Sequence, residues 1–247
     1  MKKFLLPSAL LAASLVTSCD KFDANDTYIT LRTYAVAVAD KNQDSGISFV
    51  ADTDESFFIT ENLSKTDISE IPVGERLITG VRLSNSQIDG YDFQAVLYET
   101  FEVLVGTTAT ITTEAEHDAL ADDTLASLYS SIDLSLGYLN ILATYNTDNE
   151  EGVEFFLVDN QYDVSDSAEP TYLDLELRYN AATDSVTSGD DLGDDVKMYE
   201  DYVSFDMRPF LSRMEGMVGV RLSIKTEKSG NIYVKVLANN LYDEDDL

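Results

Sequence analysis

Alternation of apolar and polar residues is the feature that most narrows the folds open to this chain. The segment from Leu173 to Tyr179 is the clearest case, with leucine or tyrosine at every odd position and Asp174, Glu176 and Arg178 between them. Successive side chains of a strand point to opposite faces. The segment is therefore predicted to be a strand with one buried face and one face in water.

The same periodicity divides the chain into two β-rich parts. Residues 30–106 contain about five alternating segments, which suits a small closed barrel of the OB kind. Residues 107–247 contain about six, of which Leu134 to Tyr145 is one, separated by short turns that are typical of a β-sandwich. Thr113 and Glu116 can form a capping box, so a short helix or loop is expected there. The predicted fold is all-β: an N-terminal OB-like barrel followed by a C-terminal β-sandwich.

The N-terminus has the features of a secretory signal peptide. Two lysines precede an apolar run from Phe4 to Val16, and small residues follow it. The run is shorter than the roughly 20 apolar residues that span a bilayer. Residues 1–18 are therefore predicted to be a lipoprotein signal peptide, and residues 19–29 an acidic tether.

Cys19 is the only cysteine of the chain, and it stands directly after Val16-Thr17-Ser18. This arrangement looks like a bacterial lipobox, which implies that Cys19 is lipidated and becomes the mature N-terminus. A lipid thioether also explains an unpaired cysteine in an exported protein. The expected location is the outer membrane, with a lipid anchor as the contact to the membrane. Acidic residues after Cys19 resemble surface-export signals, which favours the cell surface over the periplasmic face.

The chain carries a formal net charge of −30, with 46 acidic and 16 basic residues. Such a surface repels phosphate backbones, so nucleic acid is not an expected partner. Asp40, Asn42 and Asp44 have the spacing of the first half of an EF-hand calcium loop. Ser45 and Ala51 stand where that loop needs Gly and Glu, which favours a polar turn. These three residues remain calcium candidates.

A second acidic stretch, Asp52 with Asp54 and Glu55, is also expected to be a solvated loop unless it folds around a cation. Histidine catalysis is disfavoured because His117 is the only histidine. A phosphate-binding glycine loop and a dinucleotide fingerprint are both missing from the sequence. No catalytic residue and no cofactor is predicted. With 46 acidic residues, some carboxylate pair will have the spacing of a glycosidase by chance.

Several short strings resemble those of the NigD-like lipoprotein family. They are Tyr34 to Val38, Pro72 to Arg76, Gly137 to Ile141, Leu177 to Asn180 and Val203 to Met207. The resemblance implies an N-terminal OB domain, a C-terminal β-sandwich and export as a lipoprotein. The family's biochemical role is undefined, so the resemblance brings no catalytic residues with it.

The sequence thus predicts an exported, lipid-anchored, non-catalytic surface lipoprotein with a binding or structural role. Its protein or glycan partner is unknown. Two alternatives stay open: a calcium-stabilised adhesin-like module and a carboxylate-dependent glycan hydrolase.

Overall fold

The structure is a computed structural model that describes residues 29–39, 47–84, 88–135, 137–149, 152–163, 171–181, 197–227 and 229–238. Within these ranges, no helix is both long and apolar enough to cross a membrane.

The N-terminal part is a closed five-stranded barrel. Its strands are β1 (Ile29–Ala39), β2 (Ile47–Ala51), β3 (Ser56–Asn62), β4 (Arg76–Ser84) and β5 (Phe93–Glu102). They follow one another around the barrel in the order β1-β2-β3-β5-β4, and β4 closes it by pairing with β1. The β3–β5 pair is parallel, and the other pairs are antiparallel. The barrel confirms the predicted OB-like architecture.

Small side chains of β1 face the interior of the barrel. Ala35 and Ala37 are fully buried and leave room for Phe49 and Phe57 in the centre. A 3₁₀ helix, Ile68–Glu70, connects β3 to β4.

The C-terminal part is a sandwich of two sheets, as predicted. Its strands are β6 (Leu104–Val105), β7 (Thr107–Ile111), β8 (Ser127–Ser135), β9 (Tyr138–Thr147), β10 (Glu154–Asn160), β11 (Tyr172–Asn180), β12 (Lys197–Asp206), β13 (Gly219–Thr226) and β14 (Gly230–Leu237). One sheet has the order β14-β13-β11-β10-β7 and the other the order β6-β12-β9-β8. Two short helices, α1 (Glu114–Ala119) and α2 (Leu211–Met214), and a 3₁₀ helix, Arg208–Phe210, connect the strands.

An aromatic cluster fills the space between the two sheets. The ring of Tyr145 lies 5.4 Å from both Phe155 and Tyr179, measured between centroids. The odd-numbered residues from Leu173 to Tyr179 are all buried in this core. The predicted inward face of β11 is therefore confirmed. The capping box of α1 is also confirmed, since Thr113 and Glu116 make both of its hydrogen bonds.

Two expectations about this domain were wrong. Leu134 to Tyr145 is not one strand, because the chain turns at Gly137, whose φ of +81° is costly for other residues. Arg178 points outward but is not in water, since its Nη1 donates to the carbonyl oxygens of His117 and Leu120 at 3.2 and 3.5 Å. The segment around α1 covers this end of the strand.

Candidate functional site

A buried ion pair lies where the barrel meets the sandwich. Asp52 directly follows β2 and Arg76 begins β4, and both side chains are only about 5% exposed. Arg76 Nη1 donates to Asp52 Oδ1, and Arg76 Nη2 donates to Asp52 Oδ2 at 2.8 Å. This two-point geometry between a guanidinium and a carboxylate is the strongest form of the pair.

Side chains of the sandwich complete the network. Asn140 on β9 donates to Asp52 Oδ2 at 2.9 Å and accepts from Arg76 Nη2 at 3.0 Å. Ser135 at the end of β8 donates to Asp52 Oδ2 at 3.1 Å. Ser204 on β12 donates to Asn140 Oδ1 at 2.6 Å. The five residues form one hydrogen-bonded cluster, the junction network, to which both domains contribute.

Aromatic rings surround the arginine of the junction network. The Arg76 guanidinium lies 3.8 Å from the ring centroid of Tyr138 and 5.8 Å from that of Tyr34. Tyr34 in turn meets Tyr202 of β12 edge-on, at 6.2 Å. Burial, followed by the nearby Tyr202 and Asp133, raises the pKa of Tyr34 far above its ordinary value. The raised pKa keeps the Tyr34 hydroxyl in its neutral form beside Arg76.

Asp52 is thus not part of a solvated acidic loop, contrary to expectation. Its two oxygens accept four hydrogen bonds from Arg76, Asn140 and Ser135. The prediction failed because β2 ends at the domain boundary, where the sandwich covers the residue that follows the strand. A carboxylate with its acceptor sites filled is suited to clamping two domains, and less suited to binding a cation or activating water.

The second candidate region is the face of the five-stranded sheet that points away from the sandwich core, here called the outer face. Its side chains form a regular grid: Asp174, Glu176 and Arg178 on β11, Arg221, Ser223 and Lys225 on β13, and Asn231, Tyr233 and Lys235 on β14. The strand register places Ser223 between Glu176 and Tyr233, and Arg221 between Asp174 and Lys235. Paired residues of neighbouring strands share a face, so these residues lie side by side.

Ion pairs hold most charges of the outer face in place. Arg221 Nε donates to Asp174 Oδ1. Arg178 donates from Nε and Nη2 to Glu176 Oε2 at 2.9 and 2.7 Å. Lys225 Nζ donates to the carbonyl oxygen of Asp122 at 2.7 Å.

A groove crosses the outer face at Ser223, because this short side chain stands between two longer ones. Its main part has a volume of about 260 Å³ and is lined by Asn160, Asp174, Glu176, Arg221, Ser223 and Tyr233, among others. It continues into a smaller part of about 180 Å³, lined by His117, Arg178, Lys225 and Asn231, among others. Glu176, Ser223 and Asn231 line both parts, which we together call the Ser223 groove.

The remaining residues that the sequence singled out add no further candidate site among the described residues. Cys19, Asp40, Asn42 and Asp44 lie outside the described residues, so lipidation and calcium binding stay predictions. His117 is partly exposed, and its Nδ1 lies 3.4 Å from Asp118 Oδ1. In the part of the chain that the structure describes, no three His, Cys, Asp or Glu residues are placed to hold a metal ion.

Sequence reasoning missed both candidate regions as sites. Arg76, Asn140 and Ser204 all belong to sequence strings that carry the family resemblance. Their membership in these strings was the one sequence signal that could have marked them as parts of a site. For the outer face, the polar positions of β11 were recognised, but the register that brings Ser223 and Tyr233 beside them was not.

The architecture and the junction network place the chain among all-β proteins with two domains. One domain is a closed barrel, and it is joined to a two-sheet sandwich. The sequence profile of the NigD-like C-terminal beta sandwich domain matches residues 107–237. The chain therefore belongs to the NigD-like family.

Solved structures of Bacteroides proteins share this fold. A Bacteroides vulgatus protein of unknown function is 15% identical, with a TM-score of 0.68 over 89% of this chain and 94% of that one. A Bacteroides fragilis protein, described provisionally as a lipoprotein, is 10% identical, with a TM-score of 0.59 over 87% of this chain and 100% of that one. A NigD-like immunity protein from Bacteroides caccae is 18% identical, with a TM-score of 0.53 over 83% and 91% of the two chains. No curated protein sequence matches the chain.

Proposed function

We propose that this chain is a non-catalytic lipoprotein, held in the outer membrane by lipid on Cys19 and displayed at the cell surface. Its partner in the membrane is the lipid bilayer, reached through that anchor. The two β domains act as one rigid body beyond an acidic tether, and their role is binding or structural.

The observation that supports a binding or structural role is the junction network. Arg76, Asp52 and Asn140 are buried, and most of their polar atoms are used for contacts between the domains. The most deeply buried acid–base pair of the described chain is thus bonded to the sandwich by Asn140 and Ser135, which favours a structural role for it. The provisional description of the Bacteroides fragilis protein as a lipoprotein supports the anchor.

Cell fractionation of the wild type and of Cys19→Ala tests the anchor. The wild type is expected in the outer-membrane fraction, and protease added to intact cells should digest it. Cys19→Ala should leave that fraction, because it cannot carry the acyl groups that hold the wild type in the outer membrane. Equal membrane retention of the two proteins would contradict anchoring. Full protease resistance on intact cells, with digestion after lysis, would contradict surface display.

A further inference from the structure

The Ser223 groove combines an exposed aromatic ring with a polar floor. Tyr233 is 51% exposed although it belongs to a strand of the sheet. The Arg221 guanidinium lies 5.0 Å from its ring centroid and restricts its position. β11 and β14 flank β13, roughly 10 Å apart, so the ring and the acidic residues of β11 form opposite walls. An aromatic wall of this kind presents an apolar surface together with a hydroxyl group.

The opposite wall offers hydrogen-bonding groups whose positions are fixed. Asn160 Nδ2 donates to Glu176 Oε1 at 2.9 Å, while Arg178 holds Oε2 of the same carboxylate. Carboxylate oxygens accept, guanidinium and amide nitrogens donate, and a serine hydroxyl does both. The hydroxyl groups of a sugar need this mixture, and side chains that are already positioned lose little entropy on binding.

Charge decides which sugars fit. Arg221 and Arg178 are each paired with a carboxylate of β11, and Lys225 lies against Asp122. The groove therefore has no surplus of positive charge, and the chain as a whole is strongly acidic. Uronic acids and phosphates would be repelled. A peptide would need apolar pockets for anchoring side chains, and the floor at Ser223 offers a hydroxyl group instead.

We infer that the Ser223 groove binds a neutral oligosaccharide, with Tyr233 stacking on a sugar ring and the polar residues of β11 and β13 bonding its hydroxyls. This inference rests on the binding role proposed above and gives that role a ligand class.

Calorimetric titration of the full-length protein, in a detergent without a sugar headgroup, tests the inference. The probes are cellohexaose, xylohexaose, mannohexaose, laminarihexaose and maltohexaose, with trigalacturonate and hexalysine as charged comparisons. At least one neutral probe should bind. Tyr233→Ala should weaken that binding about tenfold, the loss of one good aromatic contact. Ser223→Leu, which fills the groove, should abolish it.

Tyr98→Ala is the matched control, because Tyr98 also lies under an arginine, with the Arg82 guanidinium 5.1 Å from its ring, but belongs to the barrel. It should bind as the wild type does, and circular dichroism should show all variants folded. The inference is overturned if no neutral probe binds, if only a charged probe binds, or if both groove variants bind normally. Mass spectrometry of the bound sugar tests the non-catalytic role separately from sugar binding in the groove. Shortened sugar chains would contradict the non-catalytic role but would still agree with binding in the Ser223 groove.

Discussion

Replacing Arg76 with alanine would leave the Asp52 carboxylate buried between the two domains without its counter-charge. Removing one partner of a buried ion pair typically costs about 3–5 kcal/mol. The lost contact between the guanidinium and Tyr138 adds to this cost. Most proteins are stable by only about 5–15 kcal/mol. Arg76→Ala is therefore expected to remove a large part of the stability.

Urea unfolding followed by circular dichroism measures this loss for Arg76→Ala, Asp52→Ala and the double variant. The double variant should cost less than the sum of the two single variants by about 1–3 kcal/mol, since it leaves no unpaired charge in the junction. Arg32→Ala is the matched control, because Arg32 and Glu99 form an ion pair whose side chains are about half exposed. It should cost no more than about 1 kcal/mol. If Arg76→Ala cost no more than the control, the reasoning about the junction would be refuted.

Three further predictions each concern a single residue. Gly106→Ala should cost about 1–3 kcal/mol in urea unfolding, because a Cβ there would lie 2.1 Å from the Phe205 ring. Tyr179 donates to the Asn146 carbonyl oxygen at 2.8 Å, so Tyr179→Phe should cost about 1 kcal/mol at pH 7. Burial raises the pKa of Tyr179, so its contribution is complete below its ordinary pKa of 10.0 and is lost at higher pH. Tyr179→Phe should accordingly flatten the decline in stability above pH 10, and an unchanged decline would contradict this. Hydrogen bonds from the backbone and side chain of Thr112 lower the pKa of Glu116, so its carboxyl resonance in NMR should titrate below the ordinary 4.5. A midpoint at or above that value would count against these hydrogen bonds in solution.

The architecture could be predicted because alternation is a local signal. In β11, the alternating positions of Leu173, Leu175 and Leu177 in the sequence were enough to predict that these side chains are buried, and the same pattern marks other strands. The family resemblance implied the same pair of domains, a barrel followed by a sandwich. Local patterns were enough for both the order of the domains and the class of the fold.

The candidate sites could not be predicted in the same way because they depend on which strands become neighbours. Asp52 and Asn140 are 88 positions apart and meet only because β2 ends and β9 begins at the same domain junction. Ser223 forms a groove only because the register sets it between Glu176 and Tyr233. Arg178 looked exposed because alternation cannot show that the α1 segment folds over it. Long-range pairing, and not residue type, decides these positions.

The central claim is that a lipid on Cys19 ties two acidic β domains to the outer membrane. Mass spectrometry of the N-terminal peptide of the protein, purified from its own membranes, tests this claim most directly. The account predicts that the mature chain begins at Cys19 and carries acyl groups on that residue. An N-terminus at any other position, or an unmodified Cys19, would contradict it.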